Sequence, residues 1–341
     1  MSDLPEQVRE LPANLTADPE AFRRGIAELC EPVVLRGLCA DWPALAAAGE
    51  GADSLFAYLL QFDTGARAQA FIGDPAIEGR YYYGSGQDGF NFERQSLSLR
   101  EAFERIAKAA AQPQTETVYV GSLPAEDYAP GFGAANRLAI VPRGVGPRLW
   151  VGNASRVACH YDTYDNLACV IAGRRRFTLY PPDAVGDLYV GPIDHTMAGQ
   201  PVSLAAAAEP GDPRYPRFEV VRGRAREVVL EPGDALYLPK LWWHQVEASE
   251  PVNLLVNYWW DAFSTGPDAP YLTMMLAMIA IAERPAPERA AWRAFFDNYV
   301  FRPERHPLEH LPEEQRGVLG PLEQGGHGRL RAMIMRALRG A

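Results

Sequence analysis

Hydrophobic residues follow three different patterns along the chain, and each pattern predicts a different kind of structure. Up to about residue 115, helical apolar stripes alternate with short apolar runs. Asp18 before Pro19 is typical of a helix start, and Ser98 followed by Glu101 is a capping box before another apolar stripe. The predicted elements are helices at residues 19–29, at residues 52–62 and after Ser98, and a strand at residues 32–38. We predict that residues 1–115 brace a core that follows them.

The middle of the chain is rich in predicted strands. An apolar run at residues 117–120 and a series of runs from residue 149 to about residue 258 are separated by turns with Gly and Pro. Repeated short strands of this kind predict a β-sandwich or barrel, which we place at residues 116–262. Residues 192–216 are rich in Gly, Pro and Ala and predict a long loop, a type of segment that often forms a lid. His195 lies in this loop, and we predict that it is a surface residue rather than a ligand.

Helical periodicity returns after Trp260. Residues 269–282 and 286–300 carry many apolar side chains, and residues 329–338 form a basic amphipathic stretch. These predicted helices, in residues 263–341, follow a β-core that would already be closed. Their apolar surface therefore needs another partner, and we predict a homodimer formed through them.

Composition and charge narrow the class of protein. The 341 residues are 48% hydrophobic and 22% charged, as in ordinary globular proteins. The formal net charge is −10 and Lys and Arg form no dense cluster, so we expect no nucleic-acid partner. The N-terminus lacks a signal-peptide pattern and the helical apolar run at residues 272–282 is too short to cross a bilayer, so we expect no membrane partner. Four cysteines without C-x-x-C spacing are expected to be reduced, packed thiols of a cytoplasmic protein.

Two short motifs contain the residues best suited to bind a metal ion. Side chains two apart in a strand share a face, so His160 and Asp162 can reach one ion. His244 follows the turn Pro232-Gly233-Asp234 and the pair Trp242-Trp243. A lone His-x-Asp is often a chance pairing, and a histidine in an apolar segment is often a core residue. Together, two imidazoles and a carboxylate predict the facial triad of non-haem Fe(II) oxygenases, which leaves coordination positions open.

These motifs and several others, in the same order, resemble the JmjC/cupin-like oxygenases that use 2-oxoglutarate. Within that family they are most similar to the branch of the asparaginyl hydroxylase that inhibits hypoxia-inducible factor. The matching stretches are PVVLRG at 32–37, DWPA at 41–44, HYD at 160–162, GRRRFTLYPP at 173–182, PGDALYLP at 232–239, WWH at 242–244 and VNYWW at 256–260. The resemblance covers roughly residues 30–262 and implies a mainly β fold with helices, whose core is a double-stranded β-helix, the cupin form of the jelly roll.

The resemblance also implies a cofactor, a cosubstrate and the residues that bind them. The cofactor would be Fe(II), although the same ligand types can also bind Mn(II), Co(II), Ni(II) or Zn(II). The cosubstrate would be 2-oxoglutarate. The implied metal ligands and catalytic residues are His160, Asp162 and His244, and the implied cosubstrate contacts are Tyr119, Asn166, Arg175 and Asn257. The homodimer through the C-terminal helices is likewise a property of the related asparaginyl hydroxylase.

The sequence departs from the family at two cosubstrate positions. Arg175 stands where the family has a lysine that binds the far carboxylate of 2-oxoglutarate, and Val157 stands where the related hydroxylase has a threonine. Arginine is longer and planar, so it could hold a carboxylate with two hydrogen bonds in a reshaped site. The same departures are also expected of an enzyme that uses another cosubstrate.

The leading functional hypothesis is hydroxylation of a protein side chain or a small metabolite, with demethylation as the outcome where the target carbon is an N-methyl group. One alternative is a cupin metalloenzyme with a different cosubstrate. Another is a metal- or ligand-binding module without turnover, although a module of that kind has no need to keep all three triad residues. The residues predicted to face the substrate are Tyr81, Tyr82, Tyr83, Tyr161, Tyr164, Trp259 and the loop at 192–216.

Overall fold

The computed structural model describes residues 7–12, 18–84, 89–112, 115–197, 199–264, 266, 268–302, 305–320 and 326–340. The chain forms two compact units, Met1–Ala262 and Phe263–Ala341. The first unit contains both β-sheets and holds the predicted bracing region together with the predicted β-core. The second unit is helical.

Two sheets build the first unit. Its strands are β1 (Arg9–Pro12), β2 (Val33–Arg36), β3 (Ala68–Gly73), β4 (Arg80–Tyr81), β5 (Phe92–Leu97), β6 (Thr117–Pro124), β7 (Arg148–Gly152), β8 (Ser155–His160), β9 (Asp165–Ala172), β10 (Arg175–Tyr180), β11 (Arg226–Leu230), β12 (Ala235–Leu238), β13 (Trp243–Ala248) and β14 (Asn253–Trp260). Across the described residues, the larger sheet has the strand order β1-β2-β12-β9-β14-β7-β6-β3-β5 and the smaller has the order β11-β10-β13-β8-β4. Most neighbouring strands are antiparallel, while β1 with β2 and β4 with β8 are parallel.

Strand β9 explains how the layers are held together. All of its residues are buried. Leu167 and Cys169 belong to a hydrophobic core shared with the N-terminal helices. Ala168 and Val170 belong to a second core, which includes residues of β10 and β11 from the smaller sheet. The larger sheet is therefore covered by helices on one face and by the smaller sheet on the other, which is why β9 lacks alternation of polar and apolar residues. This arrangement confirms the predicted mainly β fold with a jelly-roll core and helices.

Helices of the first unit begin at local capping signals. They are α1 (Pro19–Gly25), α2 (Pro43–Gly49), α3 (Ala52–Leu60), α4 (Leu99–Ala110), α5 (Ala125–Tyr128), α6 (Phe132–Ala135) and α7 (Phe218–Arg222). The Asp18 side chain accepts from the N–H groups of Glu20 and Ala21, and Ser98 and Glu101 form the reciprocal capping box before α4. Helix α2 was absent from the sequence prediction, although its proline in the first turn is a recognised start signal.

The second unit consists of α8 (Pro270–Ile281), α9 (Ala286–Phe296) and α10 (Gly326–Leu338). Helix α9 runs on into a π-helical turn at Asp297–Phe301. Helix α8 is apolar on all sides and none of its residues is buried; the exposed fraction of Ile279 reaches 83%. None of the helices in the described part of the chain has the length and apolar character needed to cross a membrane.

Candidate metal centre

The structure brings His160, Asp162 and His244 together at one end of the space between the sheets. His160 ends β8, and His244 lies directly opposite it in the antiparallel register of β13. The possible ligand atoms of all three residues lie within 4.8 Å of one another. The imidazole centroids are 4.3 Å apart, and His244 Nε2 lies 3.7 Å from Asp162 Oδ2. These atoms converge closely enough to bind one metal ion.

Backbone carbonyl groups determine which nitrogen of each imidazole is free. His160 Nδ1 lies 2.8 Å from the carbonyl oxygen of Ala158, and His244 Nδ1 lies 3.0 Å from that of Trp242. A carbonyl can only accept, so each Nδ1 carries a proton and each Nε2 keeps its lone pair. Hydrogen bonds of this kind orient metal-binding histidines and fix their tautomers.

Electrostatics at the cluster favour a bound cation. Burial, together with nearby His160, lowers the pKa of His244 well below its usual value, so this imidazole is neutral at neutral pH. Burial raises the pKa of Asp162, although nearby His160 opposes the shift. A divalent cation between these groups would offset the cost of burying the Asp162 carboxylate.

Asp165 holds the turn that leads into the strand of His244. Its carboxylate is almost fully buried and accepts from the Tyr237 hydroxyl at 3.0 Å. It also accepts from the backbone N–H groups of Lys240 at 3.3 Å and Ala262 at 2.9 Å. The Lys240 ammonium lies 3.2 Å from the same carboxylate. One side chain therefore links the start of β9, the turn between β12 and β13, and the end of β14.

A cavity extends from the three candidate ligands between the two sheets. Its lining includes all seven residues that the sequence assigned to the site, together with Val157. Most of the other lining residues are aromatic or come from the loop after β10, and they include Phe71, Tyr81, Phe92, Trp150, Met197, Gln200, Val202 and Trp259. Aliphatic side chains of β9, β13 and β14 complete the lining: Ala168, Val246 and Leu255. The sequence-based site is thus one continuous space. The individual roles of its residues remain predictions.

Arg175 is the unusual group in this cavity. Its side chain is 3% exposed, and among the described residues its Nε has no hydrogen-bond partner and its guanidinium has no acidic partner. Burial lowers the pKa of Arg175, while a hydrogen bond and a charge interaction with Tyr119 oppose the shift. A buried cation without an anion costs free energy, so the site fits a ligand that supplies a carboxylate. Asn166 and Asn257 line the same space.

His195 agrees only in part with its prediction as a surface residue, because it is half-buried. Its ring lies against Tyr83 at 5.7 Å and Phe90 at 5.2 Å, two rings that are themselves 5.8 Å apart, and its Nε2 is buried without a partner among the described residues. The Tyr83 hydroxyl donates to its carbonyl oxygen at 2.8 Å. Met197 and Gln200, in the same loop, line the cavity. His195 lies outside the cluster of candidate ligands, and its aromatic contacts were not predicted because Tyr83 and Phe90 lie about a hundred residues earlier, where no local pattern connects them.

The predicted substrate-facing residues divide into two groups. Tyr81 and Trp259 line the cavity. Tyr161 instead packs against Trp243, with ring centroids 4.8 Å apart, and Tyr164 is 53% exposed. Neither of these two is among the described residues that line the cavity, and the same holds for Tyr82 and Tyr83. The aromatic wall of Phe71, Phe92 and Trp150 was absent from the prediction, although alternation along β3, β5 and β7 is a signal that could have indicated inward-facing side chains.

Two facing sheets with two histidines and an aspartate at one end define a cupin-type protein. Comparison with known families agrees with this class, since residues 19–266 match the cupin-like domain family. The chain belongs to that family. The resemblance noted from the sequence motifs is therefore confirmed at the level of the JmjC/cupin-like family, whereas the narrower asparaginyl hydroxylase branch stays a prediction.

Three relatives show how much of the chain is shared. Lysine-specific demethylase JMJ31 of Arabidopsis thaliana is 36% identical over 115 residues, which are 33% of this chain and 20% of that protein. The HSPB1-associated protein 1 homolog of Danio rerio is 27% identical over 262 residues, 71% of this chain and 54% of that protein. The tRNA wybutosine-synthesizing protein 5 of Danio rerio is 26% identical over 279 residues, 74% of this chain and 75% of that protein. The chain thus spans about a fifth of the length of the first relative and about half of the length of the second.

Proposed function

We propose that the protein is an Fe(II)- and 2-oxoglutarate-dependent oxygenase that hydroxylates a protein side chain or a small metabolite. The observation that carries the proposal is the position of Arg175. Its buried guanidinium, with an Nε that has no partner among the described residues, lines the same cavity as His160, Asp162 and His244. Two imidazoles and a carboxylate suit Fe(II), and a guanidinium suits the far carboxylate of the cosubstrate.

Each group in the cavity then has a task. His160, Asp162 and His244 would hold the iron through Nε2, a carboxylate oxygen and Nε2. Arg175 and Tyr119 would bind the far carboxylate, and the amides of Asn166 and Asn257 would add polar contacts. When bound, iron and 2-oxoglutarate supply oxidation of a C–H bond by O₂, with succinate and CO₂ as the products of the cosubstrate. The aromatic walls would exclude water from the reacting groups.

The substrate would enter past Trp259 and the loop that carries Gln200, because these two lining residues are also partly exposed to solvent. The names of the relatives refer to lysine demethylation and to tRNA modification, which are different substrates. We infer a protein or small-molecule substrate and no nucleic acid, because the net charge is −10. An N-methyl target would give demethylation. The four cysteines form no disulfide, which fits the proposed cytoplasmic location; Cys39, Cys159 and Cys169 are buried, whereas Cys30 is exposed and not packed as predicted.

Anaerobic titration with Fe(II) and then 2-oxoglutarate tests the proposal. We expect a weak visible charge-transfer band that needs both additions and is absent in His244→Ala. Iron binding without a band would favour the alternative of a cupin enzyme with another acid as cosubstrate, which Arg175 and Val157 support. A band without succinate release, in the presence of O₂ and across a substrate panel, would favour a module without turnover.

We also propose that the protein is a homodimer through the C-terminal unit. Support comes from α8, which exposes apolar side chains on all sides, including Leu272 at 61% and Ile279 at 83%. Exposed apolar surface of this extent is typical of an interface. Light scattering should give a dimer mass that falls to a monomer mass in Ile279→Glu. The matched control is Val220→Glu, because Val220 is an apolar residue of the first unit that is 74% exposed. A monomer mass for the unaltered chain would contradict the proposal.

A further inference from the structure

An indole and two side-chain amides form a chain of hydrogen bonds along one wall of the cavity. Trp150 Nε1 donates to Asn257 Oδ1 at 2.6 Å, and Asn257 Nδ2 donates to Asn166 Oδ1 at 3.0 Å. The three residues lie on the neighbouring strands β7, β14 and β9 of the larger sheet, and all three line the cavity. Asn257 and Asn166 are buried, at 1% and 7% exposure. Solvent therefore offers these amides few other partners.

Trp150 determines which group donates and which accepts in each of these hydrogen bonds. The two ends of an asparagine amide have nearly the same shape, so packing alone does not decide which end is oxygen. An indole can only donate, and it therefore requires Asn257 to turn its oxygen toward Trp150. The Asn257 NH₂ group then faces Asn166, which must offer its own oxygen. The Asn166 NH₂ group is left for the cavity.

Packing holds the indole in the position that this role requires. The Trp150 ring lies 6.1 Å from Tyr119 and 5.6 Å from Trp259, measured between ring centroids. Gly121, on β6, provides the space, because a Cβ at that position would lie 2.8 Å from Trp150 Cε3. Since a separation below about 3 Å between carbon atoms is a clash, a larger residue at 121 would displace the indole.

We propose that Trp150 is a positioning residue for the cosubstrate. By fixing the direction of both amides, it makes Asn166 present N–H donors rather than a carbonyl oxygen to a carboxylate bound beside Arg175. A donor that faces a carboxylate forms a charge-assisted hydrogen bond, whereas an oxygen in the same place repels it. This inference rests on the proposed function, because it takes the bound anion to be 2-oxoglutarate.

The first test is Trp150→Phe, which keeps an aromatic ring and removes the N–H donor. Calorimetry with the Mn(II)-loaded protein, without O₂ turnover, should show a roughly tenfold higher Kd for 2-oxoglutarate, the size expected for one hydrogen bond to a charged group. Trp42→Phe is the matched control, because it removes a buried indole N–H that donates to the carbonyl oxygen of Arg137 at 3.2 Å and is not part of the cavity lining. Its Kd for 2-oxoglutarate should stay within about twofold, since it lies outside the chain of hydrogen bonds. The Kd for Mn(II) should be unchanged in both variants, which also shows that both fold.

A double-mutant cycle separates this role from a merely structural one. If Trp150 acts through the amides, Trp150→Phe should have little further effect in the background of Asn166→Ala. Additive losses, or an unchanged Kd in Trp150→Phe, would overturn the inference. Formate, oxalate and succinate serve as further probes if 2-oxoglutarate does not bind. A carboxylate whose binding is lost in Arg175→Met and weakened in Trp150→Phe would support the role of Trp150 while the proposed cosubstrate fails. If none of these carboxylates binds, both ideas are wrong.

Discussion

The two ends of the cavity are built in different ways. At the metal end, backbone geometry places the groups: His160 and His244 are cross-strand partners, and each ring is held by a carbonyl two residues earlier in its own segment. At the other end, Arg175 and the two asparagines come from β10, β9 and β14 and depend on contacts between side chains. A site that is positioned by strand register needs few supporting side chains. A site that is positioned by contacts between side chains depends on every side chain that makes those contacts.

This difference implies that the two ends can be changed separately. A substitution at the cosubstrate end should leave metal affinity intact, because no backbone group that orients His160 or His244 is altered. Loss of a metal ligand should abolish the binding of the metal and of 2-oxoglutarate, because 2-oxoglutarate would also bind through the metal.

His244→Ala should have the largest effect. Removing one of three ligands should weaken Fe(II) binding by well over about 100-fold, since changes to groups that merely orient ligands already cost about 10–100-fold. Competition with a coloured chelator under anaerobic conditions measures this affinity. His195→Ala is the control, because His195 packs against Tyr83 and Phe90 and is not one of the three candidate ligands, so this variant should keep full metal affinity. Equal affinity in the two variants would show that His244 is not a ligand.

Arg175→Met should separate cosubstrate binding from metal binding. Loss of a buried charge partner costs about 2–5 kcal/mol, so the Kd for 2-oxoglutarate should rise by roughly 30-fold or more while the Kd for Mn(II) stays constant. Arg175→Lys restores a cation and should recover part of the affinity.

Arg175→Met should also affect the stability of the protein in the absence of ligand. Arg175 is a buried cation without an acidic partner among the described residues. Replacement by an apolar side chain of similar length should therefore keep or raise the free energy of unfolding of the apo-protein. Chemical denaturation of both proteins without metal measures this. A clear loss of stability would mean that the guanidinium has a structural role.

Strand periodicity explains more of the metal end than of the cosubstrate end. His160 and Asp162 lie two apart, so strand periodicity indicates a shared face, although β8 ends at His160 and Asp162 lies just beyond it. Pro239, directly after β12, marks the break before the strand of His244. The parity of Asn166 likewise matched its place in the cavity, beside Ala168 and on the face opposite Leu167. Each of these inferences uses only the sequence pattern of a single strand.

The rest depends on contacts between distant segments. Nothing near Trp150 in the sequence indicates that its N–H meets Asn257, more than a hundred residues later. The stacking of His195 on Phe90 is equally remote, and a Gly-Pro-Ala-rich loop gives no sign of it. Helix α2 was a different kind of failure, because the start signal at Pro43 was present in the sequence.

Asp165→Asn tests whether the turn before β13 supports the metal end. The change keeps the shape but removes the charge that faces Lys240, so the free energy of unfolding should fall by about 2 kcal/mol, less than for a fully buried pair. The control is Asp183→Asn, because Asp183 pairs with Arg224 but is 69% exposed and should change stability by less than about 0.5 kcal/mol. Urea denaturation of the apo-proteins measures both. If both variants change the free energy of unfolding by the same small amount, Asp165 does not stabilise the turn at the metal end.

Val157→Thr should have the smallest effect and tests the cosubstrate end most finely. Val157 lines the cavity on β8 and faces Val246 on β13. A threonine there adds one hydroxyl beside the proposed carboxylate, so the Kd for 2-oxoglutarate should fall about two- to fivefold, while the empty protein loses roughly 1 kcal/mol for the buried hydroxyl. Val246→Thr is the matched control and should show the loss of stability without the gain in affinity. If both variants gain equally, the hydroxyl acts through general polarity, and the cosubstrate end is less specific than the contacts of Arg175, Asn166 and Asn257 imply.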